Sequence, residues 1–168
     1  MAETNLITIA DVQQYRQIDP KINSVKFSSF CQEVQRKNLR NLLGDSLYYA
    51  FMLDARTSGI YKDLLDGKVY DNVQYYGIKP ILCYWWLAIA TREGDLFHST
   101  VGAIQFTNNQ QQSFETAKEK ERIATGYMET AQGYANDCIN FLNYYAASYP
   151  LWKSTTETNQ VNFITFKV

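Results

Sequence analysis

The sequence predicts a mainly α-helical domain: a helical bundle with one very long C-terminal helix, an extended arm or β-hairpin near residues 100–110, and a strand-like C-terminal tail. Three observations carry this. Up to Glu93, apolar residues recur mostly at steps of three and four, the spacing that lines one face of a helix. Tyr127, Tyr134 and Phe141 repeat every seven positions in a long stretch that no proline interrupts before Pro150. Helical spacing fails at 101–107 and again in the tail, where β-branched and aromatic residues collect.

The elements follow in order. Thr8 can cap a short first helix through Asp11-Val12-Gln13-Gln14-Tyr15-Arg16, which Pro20 closes because the residue before proline avoids helical geometry. A longer helix over 24–43 puts Phe27, Phe30, Cys31, Val34, Leu42 and Leu43 on one side, and Gly44 stops it. Asp45 then reads as the N-cap of a helix over 46–55 that buries Leu47, Tyr48, Phe51 and Met52. Beyond Gly59 a short helix gathers Tyr61, Leu64 and Leu65 and ends at Gly67; Asp71-Asn72 and Gly77 mark a loop.

The helix expected over 78–93 is apolar nearly all round, which places it at the centre of the core. Val101 to Thr107, followed by Asn108-Asn109, reads as a strand or extended arm. Ser113 can cap the last helix, expected over 114–147, at about 50 Å longer than a small domain is wide. Its core stripe is flanked by Ala131, Cys138 and Tyr145 on one side and by Met128 and Leu142 on the other. Gly126 and Gly133 within it mark either a bend or the close approach of another backbone. The tail runs from a polar stretch, 154–160, into Val161-Asn162-Phe163-Ile164-Thr165-Phe166-Lys167-Val168, which either pairs with something outside the domain or folds back on the sheet begun near Val101.

Composition narrows the function. A chain of 168 residues with 46% hydrophobic residues can bury about 70% of its unfolded surface in a single domain, here 1–153, without disulfides or a structural metal. The net charge of -1 argues against a protein that grips nucleic acid chiefly by charge. Cys31, Cys83 and Cys138 are scattered, with neither disulfide nor zinc-ligand spacing. The N-terminus lacks secretory-signal character, so a reducing compartment is expected, and the longest apolar run is about eleven residues against the roughly twenty of a membrane span.

His98 is the only histidine and has no ligand or relay spacing, and phosphate-loop, dinucleotide and nucleophile-elbow motifs are missing. No catalytic residue, metal or cofactor is therefore expected. Asp63 and Asp66 beside Lys62 and Lys68 read as a solvated helix face. Lys118-Glu119-Lys120-Glu121-Arg122 reads as helix-surface pairing or as a local patch for DNA or a partner's acidic rim. In Trp85-Trp86 and in the pairs Tyr48-Tyr49, Tyr75-Tyr76 and Tyr144-Tyr145, one ring should enter the core and the other face out. The 13 tyrosines thus suit a protein interface.

Several stretches carry a resemblance: Ile7-Thr8-Ile9-Ala10-Asp11; Asn41-Leu42-Leu43-Gly44-Asp45-Ser46-Leu47-Tyr48-Tyr49; Tyr61-Lys62-Asp63-Leu64-Leu65-Asp66-Gly67; Gly77-Ile78-Lys79-Pro80-Ile81-Leu82-Cys83-Tyr84; Val101-Gly102 before Asn108-Asn109; and Phe141-Leu142-Asn143 leading to Tyr149-Pro150-Leu151-Trp152. In this order, over roughly 6–153, the chain resembles small helical head-tail connector proteins of tailed phages and prophages of Bacteroidales, including the crAss-like phages. The resemblance implies a virion structural protein, not an enzyme. It would form a homo-oligomeric ring, expected to be a dodecamer, below the portal protein, touch neighbouring tail or ring proteins, and pass DNA non-specifically through its lumen.

On that reading the expected contact residues are Tyr49 and Tyr144, the arm residues Val101, Ile104 and Phe106, the tail residues Val161, Phe163, Ile164 and Phe166, and the helix cations Lys118, Lys120 and Arg122. The other reading is a soluble helical regulator, ligand-binding protein or small enzyme with a pocket beside the central helix, near Trp85, Trp86 and His98.

Overall fold

The structure, a computed structural model, describes residues 4–18, 22–57, 59–93, 97–99, 102–104 and 117–153. It is mainly helical, and its first helix, α1 (Ile9–Tyr15), starts as expected at Thr8. Thr8 Oγ1 accepts from the Asp11 amide at 3.2 Å while the Asp11 carboxylate accepts from the Thr8 amide at 2.7 Å, a reciprocal cap of the first turn.

Asn23 caps α2 (Ser24–Val34), which runs through a π-helical turn, Gln35–Leu39, into α3 (Arg40–Leu43). The expected single helix over 24–43 is therefore continuous but widened by one turn. Val34 and Gln35 are both fully buried, a pairing of neighbours that such a widened turn accommodates. Gln35 repays its burial with two hydrogen bonds: Oε1 accepts from the Leu6 amide at 2.8 Å and Nε2 donates to the Thr4 carbonyl at 3.3 Å. These fasten the N-terminal segment to the bundle.

Gly44, at φ 74° and ψ 157°, breaks the helix, and α4 (Asp45–Asp54) starts immediately. Here the expectation needs correcting. Gly44 itself occupies the cap position, so Asp45 is the first helical residue and its carboxylate instead forms a bidentate pair with Arg40 at 2.7 and 3.1 Å across the break. That hydrogen-bonded guanidinium holds the Asp45 carboxyl below its ordinary range. Leu47, Tyr48 and Phe51 are buried as expected, whereas Met52 is only half-buried.

After α5 (Gly59–Asp66), the stretch read as a loop contains a β-hairpin: β1 (Lys68–Tyr70) pairs antiparallel with β2 (Val73–Tyr75) in the register Lys68↔Tyr75, Val69↔Gln74, Tyr70↔Val73. Asp71 and Asn72, at φ 45° and 61°, make a two-residue turn of the kind that matches strand twist.

The central helix, α6 (Ile78–Arg92), is buried on every side, with only Lys79, Ile89 and Arg92 partly open. It packs along α7 and against α1, α2 and α5. This full enclosure corrects the expectation for Trp85-Trp86: both rings are buried, because a helix surrounded by neighbours has no outward face. The arm is a second hairpin that begins earlier than expected, β3 (Phe97–Ser99) against β4 (Gly102–Ile104).

The long helix α7 (Ala117–Tyr144) has 28 described residues, about 42 Å at 1.5 Å per residue, and gives way to a 3₁₀ turn, Ala146–Ser148, before the expected end at 147. Ala124, Tyr127, Ala131, Ala135, Cys138, Phe141 and Leu142 form its buried face. Tyr134 and Tyr145 are half-buried. A Cβ built on Gly126 or Gly133 meets no atom within 4 Å, and both are exposed, so no described backbone approaches either. Gly126→Ala and Gly133→Ala are accordingly expected to stabilise the fold by up to about 1 kcal/mol each. Thermal unfolding checks this: a lowered midpoint would mean that something else presses on that face.

Candidate interaction surface

The hairpin lies on the C-terminal half of α7, and aromatic packing holds it there. The Tyr75 ring stacks on Phe141 at 4.2 Å and 15°, and its hydroxyl donates to the Leu64 carbonyl at 2.9 Å. Full burial pushes that hydroxyl's pKa well above its usual value, so it stays a neutral donor. Tyr70 meets Phe141 at 5.3 Å, Tyr144 at 5.0 Å and Tyr145 at 5.7 Å. At the hairpin's base Gly67 and Gly77, at φ 94° and 83°, run backbone against backbone.

The Tyr-Pro-Leu-Trp stretch completes the clasp. The Tyr149 hydroxyl donates to the Ile60 carbonyl at 2.6 Å, and burial raises its pKa too. Trp152 Nε1 donates to Asn143 Oδ1 at 2.8 Å. Trp152 therefore lies beside Tyr144, next to the hairpin.

Most of these rings serve the fold, yet this region also exposes apolar surface. Of the nine large hydrophobic residues that stand exposed among the described residues, Val69 at 62%, Val73 at 52%, Tyr76 at 52% and Tyr144 at 57% belong to the hairpin, its exit or the helix beneath it. Tyr70 and Val73 are cross-strand partners, Tyr70 touches Tyr144, and Tyr76 meets Tyr134 of α7 at 5.8 Å. The result is a rim of rings and valines along the C-terminal half of α7, the kind of apolar patch that marks an interaction surface. Sequence reasoning put Tyr144 and one ring of the Tyr75-Tyr76 pair on the surface but did not single out Val69 or Val73.

The other expected contact residues lie apart from this rim. Tyr49 is exposed on α4 under the Arg40 guanidinium, 5.4 Å from its ring centroid, with Leu53 exposed one turn on. Tyr48 and Tyr75 are buried while Tyr49 and Tyr76 face out, as the pair argument expects. Lys118 and Arg122 are exposed and Lys120 half-buried at the start of α7. Lys118 and Arg122 border an open hollow of about 730 Å³ together with Glu121, Thr125 and Glu129. Glu121 pairs with Arg92 at 2.8 Å, giving this end mixed charge. Ile104 ends β4 opposite Phe97, and His98 pairs with Ala103. Val101, Phe106, Val161, Phe163, Ile164 and Phe166 lie outside the described residues.

Asp63 and Asp66 form surface ion pairs with Lys68 at 3.1 Å and Lys79 at 2.7 Å. The three thiols are buried, and burial pushes those of Cys31 and Cys138 up to about 12 and raises that of Cys83 as well. They behave as packing groups. Trp86 Nε1 already donates to the Phe27 carbonyl at 3.2 Å, and its ring is covered, so a pocket beside the central helix would have to open before anything could enter. Among the described residues no helix is long and apolar enough to cross a membrane, and no group of three or more His, Cys, Asp or Glu side chains is placed to hold a metal ion.

Neither the curated proteins nor the solved structures include a match to the chain. Residues 39–161, from the π-helical turn through the hairpin, α6 and α7 and into the tail, match a family described as a family of unknown function, DUF6712. With about three quarters of its length inside that match, the chain belongs to the DUF6712 family.

Proposed function

We propose that this protein is a structural subunit of a phage head-tail connector, which associates with copies of itself into a closed ring below the portal protein. The observation that carries the reading is the apolar rim of Val73, Tyr76 and Tyr144, held on a rigid aromatic base and exposed to solvent. A rigid ring with a polar tip loses little conformational freedom on docking, which suits a repeated subunit contact. The motif resemblance supports the same reading, because its distinctive stretches fall at structural joints. Leu-Leu-Gly-Asp is the α3–α4 break, and Tyr-Pro-Leu-Trp is the clasp beside the hairpin.

The activity on this account is assembly. Each subunit contributes its rim to one neighbour, the ring joins portal to tail or to another ring protein, and DNA moves through the lumen. A net charge of -1 fits a conduit, since many phosphate contacts would hold the duplex in place. The resemblance implies a dodecamer, and the place of action is the virion.

The test is Val73→Asp combined with Tyr144→Asp. Both positions are exposed, so the variant should remain folded, with a melting temperature close to that of the parent protein. Light scattering should show the parent as a high-order species and the variant as a monomer. A variant that assembles like the parent would remove the rim from the proposal.

A further inference from the structure

The hairpin offers more than side chains. In a two-residue hairpin the pair flanking the turn, Tyr70 and Val73, is the hydrogen-bonded one, so by alternation Val69 and Gln74 form the non-hydrogen-bonded pair. The Val69 amide and carbonyl then point outward from β1, and among the described residues no third strand pairs with this edge. An edge strand carrying an exposed valine is a template for another extended segment.

The chain itself contains a segment of the right kind. Residues 161–168 alternate β-formers, with Val161, Phe163 and Thr165 on one side and Ile164 and Phe166 on the other. The segment follows a point beside the hairpin, since Trp152 is fastened to Asn143 and the adjacent Tyr144 touches Tyr70. Docking on the hairpin of the same copy would need only a short reversal, typically two to five residues. Instead seven polar residues, 154–160, separate that point from the strand-like run, a span of up to about 25 Å when extended.

We infer that segment 161–168 docks along the β1 edge of a second copy, adding a strand to that copy's hairpin, so that each subunit is fastened to the next by its tail as well as by its rim. This rests on the ring reading, and it names the element that joins neighbours. The main-chain bonds available at a three-residue edge are few. Burial of Val69 and its surroundings under the apolar side chains of the segment supplies the remainder.

Disulfide trapping in the full chain tests it. Val69→Cys is combined in turn with Val161→Cys, Phe163→Cys or Thr165→Cys, and isotope-labelled and unlabelled proteins are mixed in equal amounts, assembled and oxidised. The native thiols are buried and weakly ionised, and do not compete. At least one pair is expected to link, with half of the links joining a labelled chain to an unlabelled one. Links confined to like-labelled chains would mean that the tail docks on its own hairpin, and would overturn the inference. Particles of ring mass with no link at any of the three positions would also overturn it while leaving the ring reading standing. Links between copies without a closed ring would support the docking and overturn the ring.

Discussion

Gly67→Ala and Gly77→Ala are each expected to destabilise the protein by more than about 3 kcal/mol, lowering the melting temperature by roughly 6–12 °C. Two effects add. Both residues sit at positive φ, which L side chains rarely adopt. A Cβ at Gly67 would lie 2.4 Å from the Tyr75 carbonyl oxygen, and one at Gly77 would lie 2.3 Å from that of Leu65, so backbone would have to move. Gly44→Ala separates the effects: its φ is 74°, but no atom lies within 4 Å of the added Cβ. It should cost only the backbone strain, about 1–3 kcal/mol. Equal losses at all three positions would mean that the close approach at the hairpin base contributes nothing.

Trp86→Ala should cost about 3–5 kcal/mol, since it removes the second of two large rings at the centre of the fold and leaves a cavity that helices on all sides cannot close. The ring lies 5.0 Å from Phe27 and 6.4 Å from Phe30 and holds α2 against α6. Trp86→Phe keeps an aromatic ring but removes one of the donors to the Phe27 carbonyl, which as part of α2 still accepts its helical bond, so it should cost less, with about 0.5–1.5 kcal/mol coming from the lost hydrogen bond. Chemical denaturation of both variants orders them. If Trp86→Ala proved nearly neutral, the ring would be serving a site that opens, as the ligand-binding reading required.

The helices were legible because their signals are local and repeated: Thr8 with Asp11, the stop at Gly44, the apolar α6 and the seven-residue stripe of α7 all appear where their residues put them. The misreadings share a cause, in that a distant or neighbouring group outweighed the local pattern. Asp45 gives its carboxylate to Arg40 five residues earlier, since Gly44 already occupies the cap. Gln35, to which the sequence reading gave no role, turns inward to serve the Leu6 amide, a partner 29 positions away that no window around α2 contains. Trp85 and Trp86 are both buried because α6 is enclosed by other helices.

The exposed apolar rim was half legible. Tyr49 and Tyr144 could be found from pairing on a helix, where one of two neighbours must face out. Val69 and Val73 depend on a hairpin whose strands have three residues each, shorter than the runs from which strands are recognised. The signal was present in Lys68-Val69-Tyr70 and Val73-Gln74-Tyr75 around Asp71-Asn72, with a two-residue turn between alternating segments. Tyr149-Pro150-Leu151-Trp152 stood out as a motif, but its work is tertiary: Tyr149 reaches Ile60, 89 positions earlier.

On the proposed reading this chain builds a closed ring through its exposed rim and through segment 161–168. The most direct measurement is the mass and shape of the full chain in solution, by light scattering followed by electron microscopy of the same sample, alone and with a portal protein. The account predicts annular particles of one size, about twelve subunits each, that dock coaxially on the portal. A protein that remains a monomer across the accessible concentration range and in the presence of the portal would contradict it.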